Sequence, residues 1–97
     1  MKNLENSKNR IIIEGHTDNV PIKSGTVESN WELSSLRASS VVRYLIKYHN
    51  MDPKMITAAA YADTKPVAPN DNEDNRAKNR RIDFLIISDE KLNKQGL

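Results

Sequence analysis

A long amphipathic helix is the strongest element that the pattern of apolar and polar positions predicts. Ser29 and Glu32 form an S-x-x-E capping box, which marks a helix start. From there to about His49, apolar side chains recur at the spacing of one helix face. The positions on or beside this apolar stripe are Leu33, Ala38, Val41, Tyr44, Leu45 and Tyr48.

Three shorter segments predict β-strands. Residues 10–14 carry consecutive isoleucines, residues 55–61 alternate weakly and are rich in alanine, and residues 80–88 alternate clearly. The alternation in the last segment predicts a strand with two apolar faces. One face holds Ile82, Phe84 and Ile86, and the other holds Leu85 and Ile87.

The order of these elements predicts the fold. A strand, a long helix and a second strand form a βαβ unit with parallel strands and a right-handed crossover. The last strand follows a short helix at about residues 72–79 and completes a mixed sheet. We therefore expect a two-layer α/β (α+β) sandwich with helices on one face, spanning residues 10–88. Residues 1–9 and 89–97 are predicted to be a polar lead-in and a polar tail.

Composition narrows the function classes. The 97 residues suit one small domain, and the net charge of +2 is too small and too evenly mixed to indicate nucleic acid or an anionic membrane. The absence of cysteine excludes disulfides and thiolate metal sites. Because no apolar run is long enough for a transmembrane helix or a signal peptide, we expect either a cytosolic protein or an anchor encoded elsewhere.

Arg37 is the residue that the helical pattern explains least well. It lies one turn after Leu33 and one turn before Val41, inside the apolar stripe. A long arginine stem can cover apolar surface while its head reaches water. If the guanidinium instead lies in a partly dry cleft, its charge needs a nearby carboxylate, supplied by this chain or by a ligand.

Other candidate motifs are weak. His16 and Asp18, in the polar loop expected at residues 15–28, could form half of a metal site or a catalytic dyad, but the only other histidine, His49, lies far along the helix. No serine lies in a G-x-S-x-G elbow. The basic run at residues 75–81 is bracketed by acidic side chains, which argues against phosphate binding. Neither an enzyme, a metal site nor a nucleic-acid interface is favoured.

Four polar residues are expected to meet at one end of the sheet. In a βαβ unit the loop after the first strand, with Asp18, lies beside the start of the helix that carries Asn30 and Arg37. Arg80 enters the same cleft if the last strand is antiparallel to the others. Two guanidinium groups, a carboxylate and an amide suit a zwitterionic ligand, whose carboxylate the cations hold and whose ammonium Asp18 accepts.

Four strings of the chain resemble the OmpA-like peptidoglycan-binding domain and together span residues 11–87. They are EGHTDNVPI at 14–22, NWELSSLRA at 30–38, YADTKPVAPN at 61–70 and NRAKNRR at 75–81. Within this family, the DNVPI stretch and the TKPVAPN loop look more like the MotB-type stator proteins of the flagellar motor than like Pal or the outer-membrane porins.

The resemblance implies non-catalytic, cofactor-free binding of the peptide stem of peptidoglycan, commonly at meso-diaminopimelate. By position, Asp18 would hold the ligand's ammonium and Arg37 its carboxylate, while Asn30 and Arg80 would add hydrogen bonds. It also implies an extracytoplasmic homodimer, anchored in the cytoplasmic membrane by a segment absent here, whose full-length form pairs with a MotA-type membrane subunit. A general Pal- or porin-type envelope tether is the alternative, and an enzyme acting on the wall is a third.

Two departures from the family pattern accompany the resemblance. Family domains carry another strand and helix ahead of the segment that matches residues 10–14, so the chain resembles a domain lacking its first strand and helix. An open sheet edge of this kind is expected to pair with a second copy. Ala60 occupies a position where relatives often have glycine, a change that we expect to cost little in a strand.

Overall fold

The computed structural model describes residues 9–88 of the chain. Residues 1–8 and 89–97, which hold most of the predicted lead-in and the whole predicted tail, lie outside this range. Strands and α-helices follow one another along the described part. They are β1 (Arg10–His16), α1 (Asn30–His49), β2 (Ile56–Ala60), α2 (Glu73–Asn79) and β3 (Arg81–Ile87).

The strands form one mixed sheet in the order β2-β1-β3. β1 runs parallel to β2, as the βαβ unit requires, and antiparallel to β3. A short 3-10 turn, Pro53–Met55, leads into β2. The predicted α/β fold with a mixed sheet is therefore confirmed.

The ends of α1 follow from local chemistry and confirm the predicted helix. Ser29 Oγ accepts a hydrogen bond from the backbone N–H of Trp31 at 3.1 Å and donates to the carboxylate of Glu32, which lowers the pKa of that carboxyl. The helix ends at Asn50, whose left-handed backbone has a φ of 53°. Within residues 9–88, no helix is both long and apolar enough to cross a bilayer.

The core lies between α1 and one face of the sheet. Ile11 and Ile13 of β1 are 2% and 0% exposed, and they pack with Ala38 of the helix. Gly15 is the point of closest approach, because a Cβ added there would lie 2.2 Å from the backbone oxygen of Ser34. The absence of a side chain at this position lets α1 sit directly against β1.

Strand β1 is longer than predicted, which corrects the position of two residues. Gly15 and His16 were expected in the following loop, but they continue the sheet, where Gly15 pairs with Ala60 and His16 with Arg81. Arg80, in turn, closes α2 instead of opening β3. A glycine and a histidine have low strand propensity, so their place depends on pairing with both neighbouring strands.

β3 is an edge strand with exposed apolar side chains. Phe84, Leu85 and Ile86 are 54%, 45% and 53% exposed. The register confirms the two predicted faces, since Phe84 and Ile86 lie opposite the inward-facing Ile13 and Ile11. No strand among residues 9–88 pairs with the outer edge of β3, so this edge and the exposed apolar side chains lie on the same strand.

Candidate functional site

A cavity of about 190 Å³ lies at the end of β1, beside the start of α1 and the end of α2. Polar and apolar side chains both line it. The lining residues are Asp18, Val20, Pro21, Ile22, Asn30, Leu33, Arg37 and Arg80. All four polar residues that the sequence singled out thus lie around one cavity.

Asp18 is buried and already has partners for both carboxylate oxygens. Its Oδ1 accepts a hydrogen bond from the backbone N–H of Val20 at 3.0 Å, and its Oδ2 accepts one from Arg80 Nη1 at 2.8 Å. The residue is 7% exposed. The charged partner of Asp18 is therefore Arg80, which the sequence had placed in the same cleft.

Arg80 is held by carboxylates from both sides. Besides Asp18, it donates to the carboxylate of Glu73, seven residues earlier at the start of α2. These bonds raise the pKa of Arg80, and the hydrogen bond from Arg80 lowers the pKa of Glu73. The guanidinium therefore stays in a fixed position at the wall of the cavity.

Asn30 holds the loop that forms the rim of the cavity. Its Nδ2 donates to the backbone oxygen of Asp18 at 3.2 Å and to that of Val20 at 3.0 Å. Both bonds join the first residue of α1 to the loop after β1. The side-chain oxygen Oδ1 accepts no hydrogen bond from the described residues and can receive one from a ligand.

Arg37 is exposed to solvent and does not lie in a dry cleft. Its side chain is exposed, and its guanidinium forms no hydrogen bond or ion pair with any residue in the range 9–88. Leu33 and Val41, one turn away on either side, are half-buried. Of the alternatives left open for Arg37, the structure therefore favours the one in which the stem covers apolar surface and water solvates the charge, since no carboxylate among residues 9–88 balances it.

The comparisons with known proteins agree on one family. The OmpA family model matches residues 1–80. The chain belongs to the OmpA family.

Relatives in this family include motility and envelope proteins. Motility protein B of Bacillus subtilis (strain 168) is 45% identical over 82 residues, covering 84% of this chain and 31% of that protein. The peptidoglycan-associated lipoprotein of Pseudomonas aeruginosa is 37% identical over 83 residues, covering 86% of this chain and 46% of that protein. The chain thus spans a third to a half of these relatives' length.

A solved structure places the fold within the same family. The C-terminal domain of Helicobacter pylori MotB superposes with a TM-score of 0.78 at 34% identity, covering 90% of this chain and 66% of that one. The mixed sheet and helices of this OmpA-family chain therefore match those of a MotB domain.

The cavity of this OmpA-family chain combines a cation that has no charged partner among residues 9–88, Arg37, with an ion pair that is already formed, Asp18 and Arg80. Arg37 can accept a carboxylate without breaking a side-chain bond to any of residues 9–88, while the buried Asp18 and the exposed Arg80 form an ion pair next to it. Val20, Pro21 and further apolar residues line the rest of the cavity. Such a site suits a small group that carries an anion and a cation on an aliphatic stem.

The basic run at residues 75–81 serves the internal structure of the OmpA-family domain. Asn79 is fully buried, and its Oδ1 accepts from the backbone N–H groups of Val67 and Ala68 at 2.8 and 3.1 Å. Arg81 donates to the backbone oxygen of Lys65 at 3.0 Å. These bonds fix the loop between β2 and α2, so the run is not an open phosphate-binding patch.

The sequence missed Glu73 as part of the site. Its spacing of seven residues from Arg80 equals two helical turns, which places both side chains on the same side of α2 and was the available signal. The weighed dyad of His16 and Asp18 does not form, because His16 stacks on Tyr61 while Asp18 bonds to Arg80.

Proposed function

We propose that this OmpA-family domain is a non-catalytic peptidoglycan-binding module that fixes a flagellar motor stator to the cell wall. The observation that carries the proposal is the cavity in which Arg37, without a charged partner among residues 9–88, lies beside the Asp18–Arg80 pair. The identity of 45% to a motility protein B supports the stator role. A second relative is called a peptidoglycan-associated lipoprotein, and this supports peptidoglycan as the ligand.

The ligand we propose is the peptide stem of peptidoglycan, read at the zwitterionic end of diaminopimelate. Arg37 takes the ligand carboxylate through its free guanidinium N–H groups. Each oxygen of Asp18 accepts only one hydrogen bond in the described structure, so a lone pair remains for the ligand ammonium. Arg80 and Asn30 add hydrogen bonds at the rim.

The hydrogen bonds around the cavity hold its side chains in place before a ligand binds, which favours binding. Because Glu73 and Asp18 hold Arg80, and Asn30 holds the rim loop, few side chains must become ordered when a ligand enters. Each side chain fixed in advance removes part of the entropy cost of association. Arg37 is the one charged group of the cavity that still has to be ordered.

The setting of the domain is also proposed. We place it outside the cytoplasmic membrane, in a longer protein that is anchored in that membrane and pairs with a MotA-type subunit. We also propose a homodimer that forms in part through the edge of β3, with which no strand among residues 9–88 pairs. Leu85→Lys would then lower the association measured by sedimentation velocity, whereas an unchanged dimer would exclude that edge.

A general envelope tether of the Pal type is the second candidate. It is favoured by the 37% identity to the peptidoglycan-associated lipoprotein, and it uses the same cavity and ligand. Rescue of motility separates the two functions: a stator module restores swimming when it replaces the matching segment of a MotB protein, and a general tether does not. An enzyme acting on the wall would release soluble muropeptides, which we do not expect.

Co-sedimentation with purified peptidoglycan tests the binding function. The unaltered chain should pellet with the wall material, and Arg37→Ala and Asp18→Ala should each remain in the supernatant. Arg43→Ala is the matched control, because Arg43 lies on the exposed surface of the same helix and does not line the cavity. Circular dichroism verifies that each variant is folded.

Two results would contradict the proposal. One is an unaltered chain that stays in the supernatant, and the other is a folded Arg37→Ala variant that pellets as well as the unaltered chain. Loss of pelleting in Arg43→Ala would indicate general charge attraction to the wall instead of a defined site.

A further inference from the structure

The outer face of the sheet carries a cluster of charged groups that is separate from the cavity. Glu14 and His16 project from β1 on the side opposite α1, and Asp83 of β3 lies directly across from Glu14. One ligand atom from each of these side chains lies within 4.8 Å of the other two. Strand pairing therefore brings an imidazole and two carboxylates together.

His16 is the unusual member of the cluster. It is 2% exposed, and neither ring nitrogen has a hydrogen-bond partner among the described residues. Its ring stacks on Tyr61 at a centroid distance of 5.2 Å, which fixes the plane of the imidazole. A buried polar group without a partner costs free energy, and it needs an explanation in a native fold.

The distances around His16 Nε2 fit a shared metal ion better than direct hydrogen bonds. Nε2 lies 3.7 Å from Glu14 Oε1 and 3.5 Å from Asp83 Oδ2, which is too long for a hydrogen bond. Ligand atoms placed tetrahedrally about 2.1 Å from a zinc ion lie roughly 3.4 Å apart. We propose that Glu14, His16 and Asp83 bind one divalent transition-metal ion of the zinc class.

The surrounding charges are compatible with this cation. Two carboxylates lie beside the imidazole of His16, and Arg81 is the only cation bonded to the cluster within residues 9–88. Arg81 Nε donates to both oxygens of Asp83 at 3.2 and 3.1 Å, so a metal on Oδ2 leaves Oδ1 to the arginine. Arg81 thereby acts as a positioning residue that orients the carboxylate.

The donor set also indicates the class of metal. One imidazole and two carboxylates suit zinc and similar ions, whereas magnesium prefers oxygen ligands and several waters. Three protein ligands leave a fourth position of a tetrahedral ion for water or another group. This proposal does not depend on the peptidoglycan-binding function, because none of its three ligands lines the cavity.

Isothermal titration of the full, untagged chain with zinc chloride near neutral pH tests the site. We expect saturable binding of one ion per chain and no comparable binding of magnesium chloride. Glu14→Gln and Asp83→Asn should each weaken zinc affinity by about tenfold or more. His49→Gln is the matched control, since it removes the other histidine of the chain and should leave zinc affinity unchanged.

Nuclear magnetic resonance of the imidazole nitrogens tests whether His16 binds the metal. Because it uses the unaltered chain, the result does not depend on whether a variant folds. In the unaltered chain, zinc should shift the imidazole nitrogen signals of His16 and leave those of His49 in place. Absence of saturable zinc binding would overturn the proposal, as would equal affinity in folded Glu14→Gln and the unaltered chain. Shifts confined to His49 would overturn it as well.

Discussion

Arg37 and Arg80 line the same cavity, but they differ in whether a carboxylate of the described chain balances their charge. Arg80 is held between Asp18 and Glu73, so its charge is balanced within the domain. Arg37 projects from α1, is exposed, and has no charged partner among residues 9–88. The difference separates a group that shapes the site from a group that is available to a ligand.

The Asp18–Arg80 pair should contribute to the stability of the fold, whereas Arg37 should contribute to ligand binding alone. Removing a partner from the Asp18–Arg80 pair leaves a buried carboxylate or its neighbours unsatisfied, so the fold itself is affected. Removing Arg37 leaves no group of the described chain without a partner. The two arginines should therefore respond differently to substitution, and the following predictions are ordered by the size of the expected effect.

Gly15→Ala should have the largest effect, because Gly15 is the point where α1 lies closest to β1. The new Cβ would lie 2.2 Å from Ser34 O, so α1, with Arg37, must move away from the sheet. The expected loss of unfolding free energy exceeds the approximately 1–3 kcal/mol of an ordinary overpacked core. Urea unfolding measures it.

Gly25→Ala is the matched control for that substitution. Gly25 has a φ of 58°, but no atom lies within 4 Å of an added Cβ. Backbone strain alone should cost about 1 kcal/mol. If both substitutions lowered the unfolding free energy equally, contact with α1 would not be the reason that Gly15 tolerates no side chain.

Asp18→Ala should have the next largest effect, in both stability and binding. It removes the acceptor of Val20 N–H and one of the two carboxylates on Arg80. We expect the unfolding free energy to fall by about 1–3 kcal/mol. A variant as stable as the unaltered chain would mean that the Asp18 bonds do not support the fold.

Glu73 should give a smaller effect that depends on pH. Its pKa is lowered from 4.5 by the hydrogen bond from Arg80, so its contribution to stability is complete above that unfolded value. The contribution is lost as the pH falls through the lower, folded value. Glu73→Gln should reduce the loss of stability below pH 4.5 in thermal unfolding curves. An unchanged acid profile would contradict this account of Arg80.

Arg37→Ala should have the smallest effect on stability. Because the side chain is exposed and has no charged partner in the described range, the unfolding free energy should change by less than about 0.5 kcal/mol. Urea unfolding run beside Asp18→Ala gives the comparison. If Arg37→Ala lost as much stability as Asp18→Ala, then Arg37 would also support the fold, and its contrast with the Asp18–Arg80 pair would not hold.

Much of the fold could be predicted from local patterns. The capping box at Ser29 and the apolar periodicity located α1, and the alternation around Phe84 located β3 with its two faces. The end of β1 was missed because Gly15 and His16 carry no local strand signal. Their place is decided by pairing with β2 and β3, which are distant in the sequence.

The meeting of the four polar residues at one cavity was predicted, but the bonds between them were not. Helix register and the βαβ rule were enough to bring Asp18, Asn30 and Arg37 to one cavity. The bond between Asp18 and Arg80 depends on the position of Arg80 at the end of α2. That position follows from tertiary packing. The cluster around His16 escaped prediction for the same reason, since Asp83 joins it only through the sheet.

Our central proposal is that Arg37, which has no charged partner among residues 9–88, binds the carboxylate of a zwitterionic stem peptide. The most direct measurement is calorimetric titration with two synthetic stem peptides that differ only in carrying meso-diaminopimelate or lysine at the third position. We expect the diaminopimelate peptide to bind at least about tenfold more tightly, a preference that Arg37→Ala abolishes. Equal affinity for both peptides, or a preference that survives in folded Arg37→Ala, would contradict it.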